Sequence, residues 1–569
     1  MKTYLLLLLL LPLQLLGQTT IIKDVNVLDV ERRRIIKNTS IVISDGVIDK
    51  IEKFKKIKIS EKDNVIDGKG RFMIPGLIDA HIHFFQSGGL YTRPDALDLR
   101  EIVSYEEEVE FANTNVRDYL KRYLRNGITT VIDVGGPMWN FQVRDSIAQS
   151  ITGPNVLVTG PLFSMVDRPK LDIGDPPIIE VSTKQEVLNL FNKQLPYRPD
   201  FIKVWYVVTQ ENPAEKTFPL VEYLAKLCKE NNLKLAVHAT ELQTAQLAVK
   251  AGADILVHSI DDEIIPESFI KELKDEEITY IPTLTVMDGY IKAFTGEIQH
   301  TKEDLTWANP LAYNTLLDPN KIAKTLWPPQ LKSMYGKDRP AIFNQMDSIM
   351  LVNLANLSEV EVTIATGTDA GNIGTMHASS YFKELLAMKK AGLSNWELLL
   401  YSTLNPAKGF GISDKIGSIK TGKRADVILL DKNPIEDIEN LNAISLIIKS
   451  GKPLKPESIL IETPEQVVQR QVNAYNARNI DAFIDAYSDD IKIYNETGEL
   501  IMEGLDQMRK QYAGMFESVT NLYCEIENRI VINNKVIDKE KVRFNESFVD
   551  AVAVYEVSNG KIKQVNFIK

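Results

Sequence analysis

The sequence predicts an α/β chain built around a (β/α)8 TIM barrel. A β-sandwich assembled from the segments on either side flanks it, and an α+β domain follows at the C-terminal end. Three observations predict this. Over 76–414, short apolar runs alternate with helical patterns, which implies parallel strands with crossover helices. Turn-punctuated β patterns lie before and after that region, at 18–75 and 415–460. Over 465–569, amphipathic helices are followed by a succession of strand patterns.

At 569 residues the chain is long enough for two or three domains. Its 44% apolar and 25% charged content is that of a water-soluble globular protein. The net charge of −11, with no basic stripe, argues against a nucleic-acid partner. Residues 1–17 read as an export signal: Lys2, a short apolar run over 5–16 broken by Pro12, then Gly17. Twelve residues are too few to cross a bilayer, so the mature chain is expected in the periplasm or secreted, without a membrane span. Cys228 and Cys524 lie in different predicted domains and read as buried apolar residues rather than a disulfide.

The first β block contains strand patterns at 21–27, 40–43 and 47–51, the last two joined by an Asp45-Gly46 hairpin turn. The same grammar returns at 417–419, 422–430 and 444–448. In the barrel, the candidate strands are 77–83, 129–134, 155–159, 201–207, 233–238, 254–258, 278–283 and 362–369. The largest insertion, 286–342, carries Trp307, Tyr313, Trp327 and Tyr335 with a Pro328-Pro329 break, and is expected to lay helices over the barrel mouth. After Thr463-Pro464, Val467, Val468, Gln471, Val472 and Tyr475 share one helical face, and Ile480, Phe483, Ile484 and Tyr487 another. Strands are expected at 522–526, 530–532, 536–540, 551–557 and 562–567.

Chemistry concentrates at the strand ends. His81 and His83 end the first strand at i, i+2 and therefore share a side. His238 ends the fifth strand, His258 the sixth and Asp369 the eighth. Four of the six histidines in the chain thus fall where a barrel gathers its active site, and neutral imidazoles with a carboxylate suit a divalent metal. Lys203 interrupts the apolar fourth strand. Burial would lower its pKa and leave an amine able to take up carbon dioxide.

These residues, in the contexts 74–83, 202–205, 237–240, 251–258 and 367–371, resemble the amidohydrolase superfamily, in its imidazolonepropionase-like and prolidase-like branches. The resemblance implies hydrolysis of an amide, cyclic amide or dipeptide-like C–N bond in a small-molecule substrate. It also implies one or two Zn2+ ions, two being favoured. His81, His83 and Asp369 would hold the more buried ion, His238 and His258 the second, and carboxylated Lys203 would bridge them. A metal-bridging hydroxide would attack, with Asp369 as the proton shuttle.

Glu241, three residues after His238, stands where mononuclear deaminases and ring hydrolases carry a proton-shuttling glutamate. Its plainer reading is the start of the next helix, where a carboxylate favours the dipole. Tyr206 and His377 are further candidate substrate contacts, with core packing and loop ordering as their plainer readings. A reading from another class is a non-catalytic, metal-stabilised binding protein. Residues 472–483 and 551–557, with the Asn559-Gly560 turn, resemble the nuclear-transport-factor-2-like (NTF2-like, SnoaL-like) fold. That resemblance implies an accessory cone domain and a homo-oligomer formed through it.

Overall fold

A computed structural model describes residues 19–568; the expected export signal lies outside them. Among the described residues no helix is long and apolar enough to cross a membrane.

Strands occur at all eight expected barrel positions. Leu77–Ile82, Ile128–Asp133 and Asn155–Val158 form a three-stranded parallel sheet. Ile202–Trp205, Leu235–His238, Ile255–Val257, Thr279–Ile281 and Thr363–Ile364 belong to a seven-stranded one. Two short strands, Leu162–Ser164 and Ile178–Glu180, extend the larger sheet. Backbone bonds cross both seams. Asp200 donates to the Val158 carbonyl at 2.9 Å, Ala80 to Thr366 at 2.9 Å and Asp369 to His81 at 2.7 Å. Ile78, Ala80, Ile132, Phe201, Ala236 and Ile281 share one apolar cluster, while Leu77, Val131, Val204 and Leu256 pack in the cluster shared with the helices. These strands are buried on both faces, which is why they read as continuous apolar runs.

The segments flanking the barrel differ from the expected sandwich in one respect: all eight strands belong to a single sheet. Phe72–Pro75 from the N-terminal side pairs antiparallel with Val427–Leu430 from the other side. The far edge then curls back, because Ile48 donates to the Lys423 carbonyl at 2.8 Å and receives Gly422 N–H at 2.9 Å. The rolled sheet encloses Ile22, Val25, Ile41, Met73, Val427 and Ile448.

The insertion does supply helices, including Thr285–Thr295, Lys302–Trp307, Pro310–Asn314 and Pro329–Met334. The C-terminal domain is a six-stranded sheet with helices Pro464–Asn476, Ile480–Asp485 and Leu505–Ser518. Its strands Tyr487–Tyr494 and Leu500–Glu503 were outside the expected set. Thr463 and Gln466 form a capping box at the first helix, and that helix docks on the insertion. Asn473 donates to the Pro310 carbonyl at 2.7 Å, and Gln469 to Asn314 at 3.0 Å. His300 joins this contact: its ring bonds Tyr313 OH at 2.7 Å and its carbonyl accepts from Asn479 at 3.0 Å. Cys228 and Cys524 are free and buried.

Arg122, 1% exposed, bridges Asp118 at 2.6 Å and Glu462 at 3.1 Å, and Arg470 reaches Glu462 at 3.1 Å. Removing Arg122 leaves the largely buried Asp118 carboxylate without its cation and Glu462 with Arg470 alone. Arg122→Ala is therefore expected to cost about 3–5 kcal/mol of stability, read by chemical denaturation of the full chain.

Candidate metal centre

The six strand-end residues meet. His81, His83, Lys203, His238, His258 and Asp369 all line one cavity of about 520 Å³. Asp369 Oδ1 lies 3.2 Å from His81 Nε2 and 3.0 Å from His83 Nε2, and those two nitrogens are 3.2 Å apart. Asp369 Oδ2 is 3.9 Å from His258 Nδ1. The His238 and His258 rings sit 4.3 Å apart, centre to centre. Donor atoms of His81, His258 and Asp369 fall within 4.8 Å of one another, close enough to share one ion.

Backbone strain helps to place these groups. Ile255 and Val257 belong to the cluster inside the ring and Leu256 to the cluster outside it, so His258 would point outward in a regular strand. Its φ of 76° breaks the alternation. Asp369 (φ 58°) and Thr283 (φ 45°) are also left-handed, and Thr283 Oγ1 meets His258 Nδ1 at 2.8 Å. Such conformations are costly for residues with a Cβ and cluster at functional sites.

The donor chemistry fits a cation. His83 Nδ1 donates to the Gly135 carbonyl at 2.7 Å. In the neutral ring this leaves the Nε2 lone pair facing the Asp369 carboxylate, an arrangement that is repulsive unless a positive charge lies between them. Burial pushes the pKa values of His81, His238 and His258 well below the usual imidazole range, keeping them as lone-pair donors. Burial raises the pKa of the Asp369 carboxyl, and His83, His258 and Lys203 would outweigh this and bring it below the ordinary range when they carry positive charge. Lys203 is brought down to about 7 by burial, with Asp369 opposing.

Around these groups is a supporting layer. The Asp133 carboxylate accepts from Phe84 N (3.0 Å), Gly135 N (3.0 Å) and Asn140 Nδ2 (2.7 Å), fixing the turn whose carbonyl orients His83. Burial raises its pKa to about 7. Asp79 accepts from Thr368 N at 3.1 Å and Thr368 Oγ1 at 2.8 Å, tying the first strand to the Asp369 turn. The glycines of that turn are sterically required. A Cβ on Gly367 would lie 2.9 Å from His81 Cβ, and one on Gly371 (φ 110°) 2.5 Å from the His83 carbonyl. Asn372 donates to Asp369 Oδ1 at 2.8 Å, and its own oxygen accepts from Arg93 at 2.8 Å and Tyr290 OH at 2.7 Å. Asp133→Ala is expected to lower metal affinity about 10–100-fold, measured by competition with a chelating indicator.

The three candidate substrate contacts do not line the cavity. Tyr206 is fully buried and donates to the Ala214 carbonyl at 2.6 Å. It follows Trp205, which does face the cavity, so alternation turns it away. His377 stacks on Tyr119 at 4.5 Å, donates from Nε2 to the Gln86 carbonyl at 2.8 Å and accepts from Tyr123 OH at 3.1 Å; it orders the loop. Glu241 precedes helix Leu242–Ala251 and accepts from Thr244 Oγ1 at 3.1 Å. Asp79, Arg93, Asp133, Thr283, Tyr290 and Asn372 were not legible as site residues. Only Asp79 stood inside a recognised motif.

The profile of the amidohydrolase family matches residues 72–454, and that of the SnoaL-like domain matches 468–565. The chain belongs to the amidohydrolase family. Among related sequences, guanine deaminase of Escherichia coli (strain K12) is 23% identical over 431 residues, covering 73% of this chain and 87% of that protein. Ochratoxinase of Aspergillus niger is 24% identical over 466 residues, covering 74% and 84%. Among solved structures, a Xaa-Pro dipeptidase with methionine bound in its active site aligns with a TM-score of 0.58 at 22% identity. It covers 77% of this chain and all of that one. This amidohydrolase is a metal-dependent enzyme of the hydrolases acting on C–N bonds, and its His/Asp cluster is the candidate metal site.

Proposed function

We propose that this amidohydrolase hydrolyses an amide-type bond bearing a bulky apolar group, using two divalent metal ions, zinc by preference. His81, His83 and Asp369 would hold one ion and His238 and His258 the other, with carboxylated Lys203 between them. The observation that carries this reading is Lys203, an amine buried in the cavity that gathers the four histidines and Asp369, where burial lowers its pKa to about 7. Carbon dioxide adding to that amine forms an N–C bond and releases a proton, leaving an anionic carbamate with two oxygens.

Bound zinc would supply polarisation of the scissile carbonyl and a lowered pKa for the attacking water. Asp369 Oδ1 faces His81 and His83 and accepts from Asn372, which leaves Oδ2 to take the water's proton and deliver it to the leaving nitrogen. A C–O bond forms as the C–N bond breaks, and the products are a carboxylic acid and an amine. Trp205, Met287, Ile291, Phe294, Met334 and Phe343 make the cavity wall largely apolar, which excludes water and favours an aromatic or long aliphatic group.

The one-metal deaminase reading, which draws support from the sequence relatives, would need Glu241 at the reacting atoms; its bond to Thr244 Oγ1 and its place outside the cavity lining favour the first reading. Exposed Ile530, Ile532, Phe548 and Val549 on the C-terminal sheet support self-association through that domain. Export from the cytoplasm belongs to the same proposal.

The test is a screen of N-acyl amino acids and dipeptides with the zinc-loaded chain. Hydrolysis abolished by chelation is expected, with aromatic acyl groups preferred about tenfold over acetyl, as one or two buried methylene equivalents allow. Ammonia release from purines with no amide cleavage would favour the deaminase reading instead.

A further inference from the structure

The buried stripe of helix Ser380–Lys390 is made by Tyr381, Glu384, Leu385 and Met388, at i, i+3, i+4 and i+7. A carboxyl group therefore stands in the middle of an apolar face. Glu384 is 0% exposed, a placement that is costly unless hydrogen bonds compensate for the lost water. Three do, and all come from one turn 99–100 residues earlier in the chain. Leu284 N–H donates to Oε1 at 2.8 Å, and Thr285 N–H and Oγ1 donate to Oε2 at 3.0 and 2.9 Å. Burial pushes the pKa of Glu384 up to about 7, while these bonds favour its ionised form.

The turn held in this way leads to the metal centre in two directions. Helix Thr285–Thr295 has Leu284 at its N-cap, which offers no side-chain hydrogen bond, so the first N–H groups of the helix need a partner from elsewhere. Glu384 supplies it from across the fold. Just before this turn stands Thr283, left-handed at φ 45°, whose Oγ1 meets His258 Nδ1 at 2.8 Å. Further along the helix, Tyr290 OH donates to Asn372 Oδ1 at 2.7 Å, and Asn372 donates to Asp369 Oδ1 at 2.8 Å. One carboxylate is thus at the root of a line to His258 and of another to Asp369. An apolar residue in its place would pack the two helices at less cost. What the carboxylate adds is a directed hold on the backbone of the turn.

We propose that Glu384 is a positioning residue of the metal centre, which fixes the start of helix Thr285–Thr295 and through it the placement of His258 and Asp369 as ligands. The proposal rests on the metal-centre reading given above. Glu384 does not line the cavity, so its effect on the ions passes through Thr283 on one side and the Tyr290–Asn372 pair on the other. The same helix brings Val286, Met287, Ile291 and Phe294 to the cavity wall, so one anchor sets both the ligands and the apolar face beside them.

The readout is zinc affinity of the full chain, by competition with a chelating indicator, which needs no substrate. Glu384→Gln keeps the size of the side chain but offers one acceptor oxygen and turns an amide N–H toward a backbone N–H. It is expected to weaken zinc binding about 10–100-fold, as for loss of a group that orients a ligand. Leu385→Ala, a buried apolar neighbour on the same helix, is expected to lower stability and leave the affinity native. Thr283→Ala is expected to weaken binding too, and to combine with Glu384→Gln less than additively, because both act on His258. If Glu384→Gln fails to fold, Glu384→Asp, which keeps the charge but withdraws it from the turn, decides on the same readout. Native affinity in the Glu384 variant, an equal loss in Leu385→Ala, or strict additivity with Thr283→Ala overturns the proposal alone. A native chain that binds no zinc overturns the metal-centre reading and this proposal with it.

Discussion

Asp369→Asn is expected to keep its metal and to lose turnover by about 10²–10⁴-fold, the range for removing a positioned general base. The amide can still offer an oxygen toward His81 and His83, which stand 3.2 and 3.0 Å from Oδ1 in the native chain. It cannot take a proton from water at neutral pH. The variant separates holding the metal from moving the proton, two roles that the native carboxylate would combine. The left-handed backbone at residue 369 tolerates asparagine well, so misfolding does not cloud the result. Metal content by mass spectrometry and kcat on the best substrate check it. Full activity in the variant would remove Asp369 from the proton path.

Lys203→Ala is expected to have the larger effect. It removes the one buried amine among the described residues that line the cavity, and the proposed bridging group with it. Without an anionic bridge, four neutral imidazoles and one carboxylate would face the charge of two divalent cations. One metal equivalent should be lost and kcat/KM should fall by about 10⁴-fold or more, since most of the electrostatic stabilisation of the reaction disappears. Lys203→Met, similar in length and apolar, keeps the packing of the strand between Phe201 and Trp205 and isolates the chemical loss from any cavity effect. Near-native activity in Lys203→Met would rule out the carbamate.

Why was so much of the site legible? Lys203 and the strand-end histidines are polar residues in apolar strands, a placement that costs free energy and therefore marks itself. His81 and His83 share a side through the two-residue period, which is encoded locally, although an irregularity between Asp79 and Ile82 is what turns that side toward the site, since Ile78 and Ala80 face inside the ring. His258 depends on a backbone irregularity as well. Its neighbours in the chain predict the outward face, and only the left-handed φ of 76° brings the ring to the metal ligands. Nothing in residue type announces that turn. Tyr206 shows the opposite case, because the alternation that puts Lys203 and Trp205 on one face already assigns Tyr206 to the other.

The supporting residues were hidden for another reason. Asn372, Arg93 and Tyr290 come from three separate loops or helices and meet only in space, at 2.7–2.8 Å. Asp133 acts through a backbone carbonyl rather than by touching a ligand. In the flanking segments, strands occur at 21–27, 40–43, 47–51 and 444–448 as expected, whereas 422–430 is a strand only over Val427–Leu430 and 417–419 is not one. Their merger into one rolled sheet depends on the pairing of Phe72–Pro75 with Val427–Leu430, a contact spanning the whole barrel region that periodicity within either segment does not encode.

The account rests on two cations joined through Lys203, and anomalous diffraction from crystals of the zinc-loaded chain tests this most directly. The prediction is two peaks about 3.5–4 Å apart, with extra density for a carbamate on Lys203 lying between them. A single peak held by the histidines and Asp369 alone, beside an unmodified lysine, would contradict it.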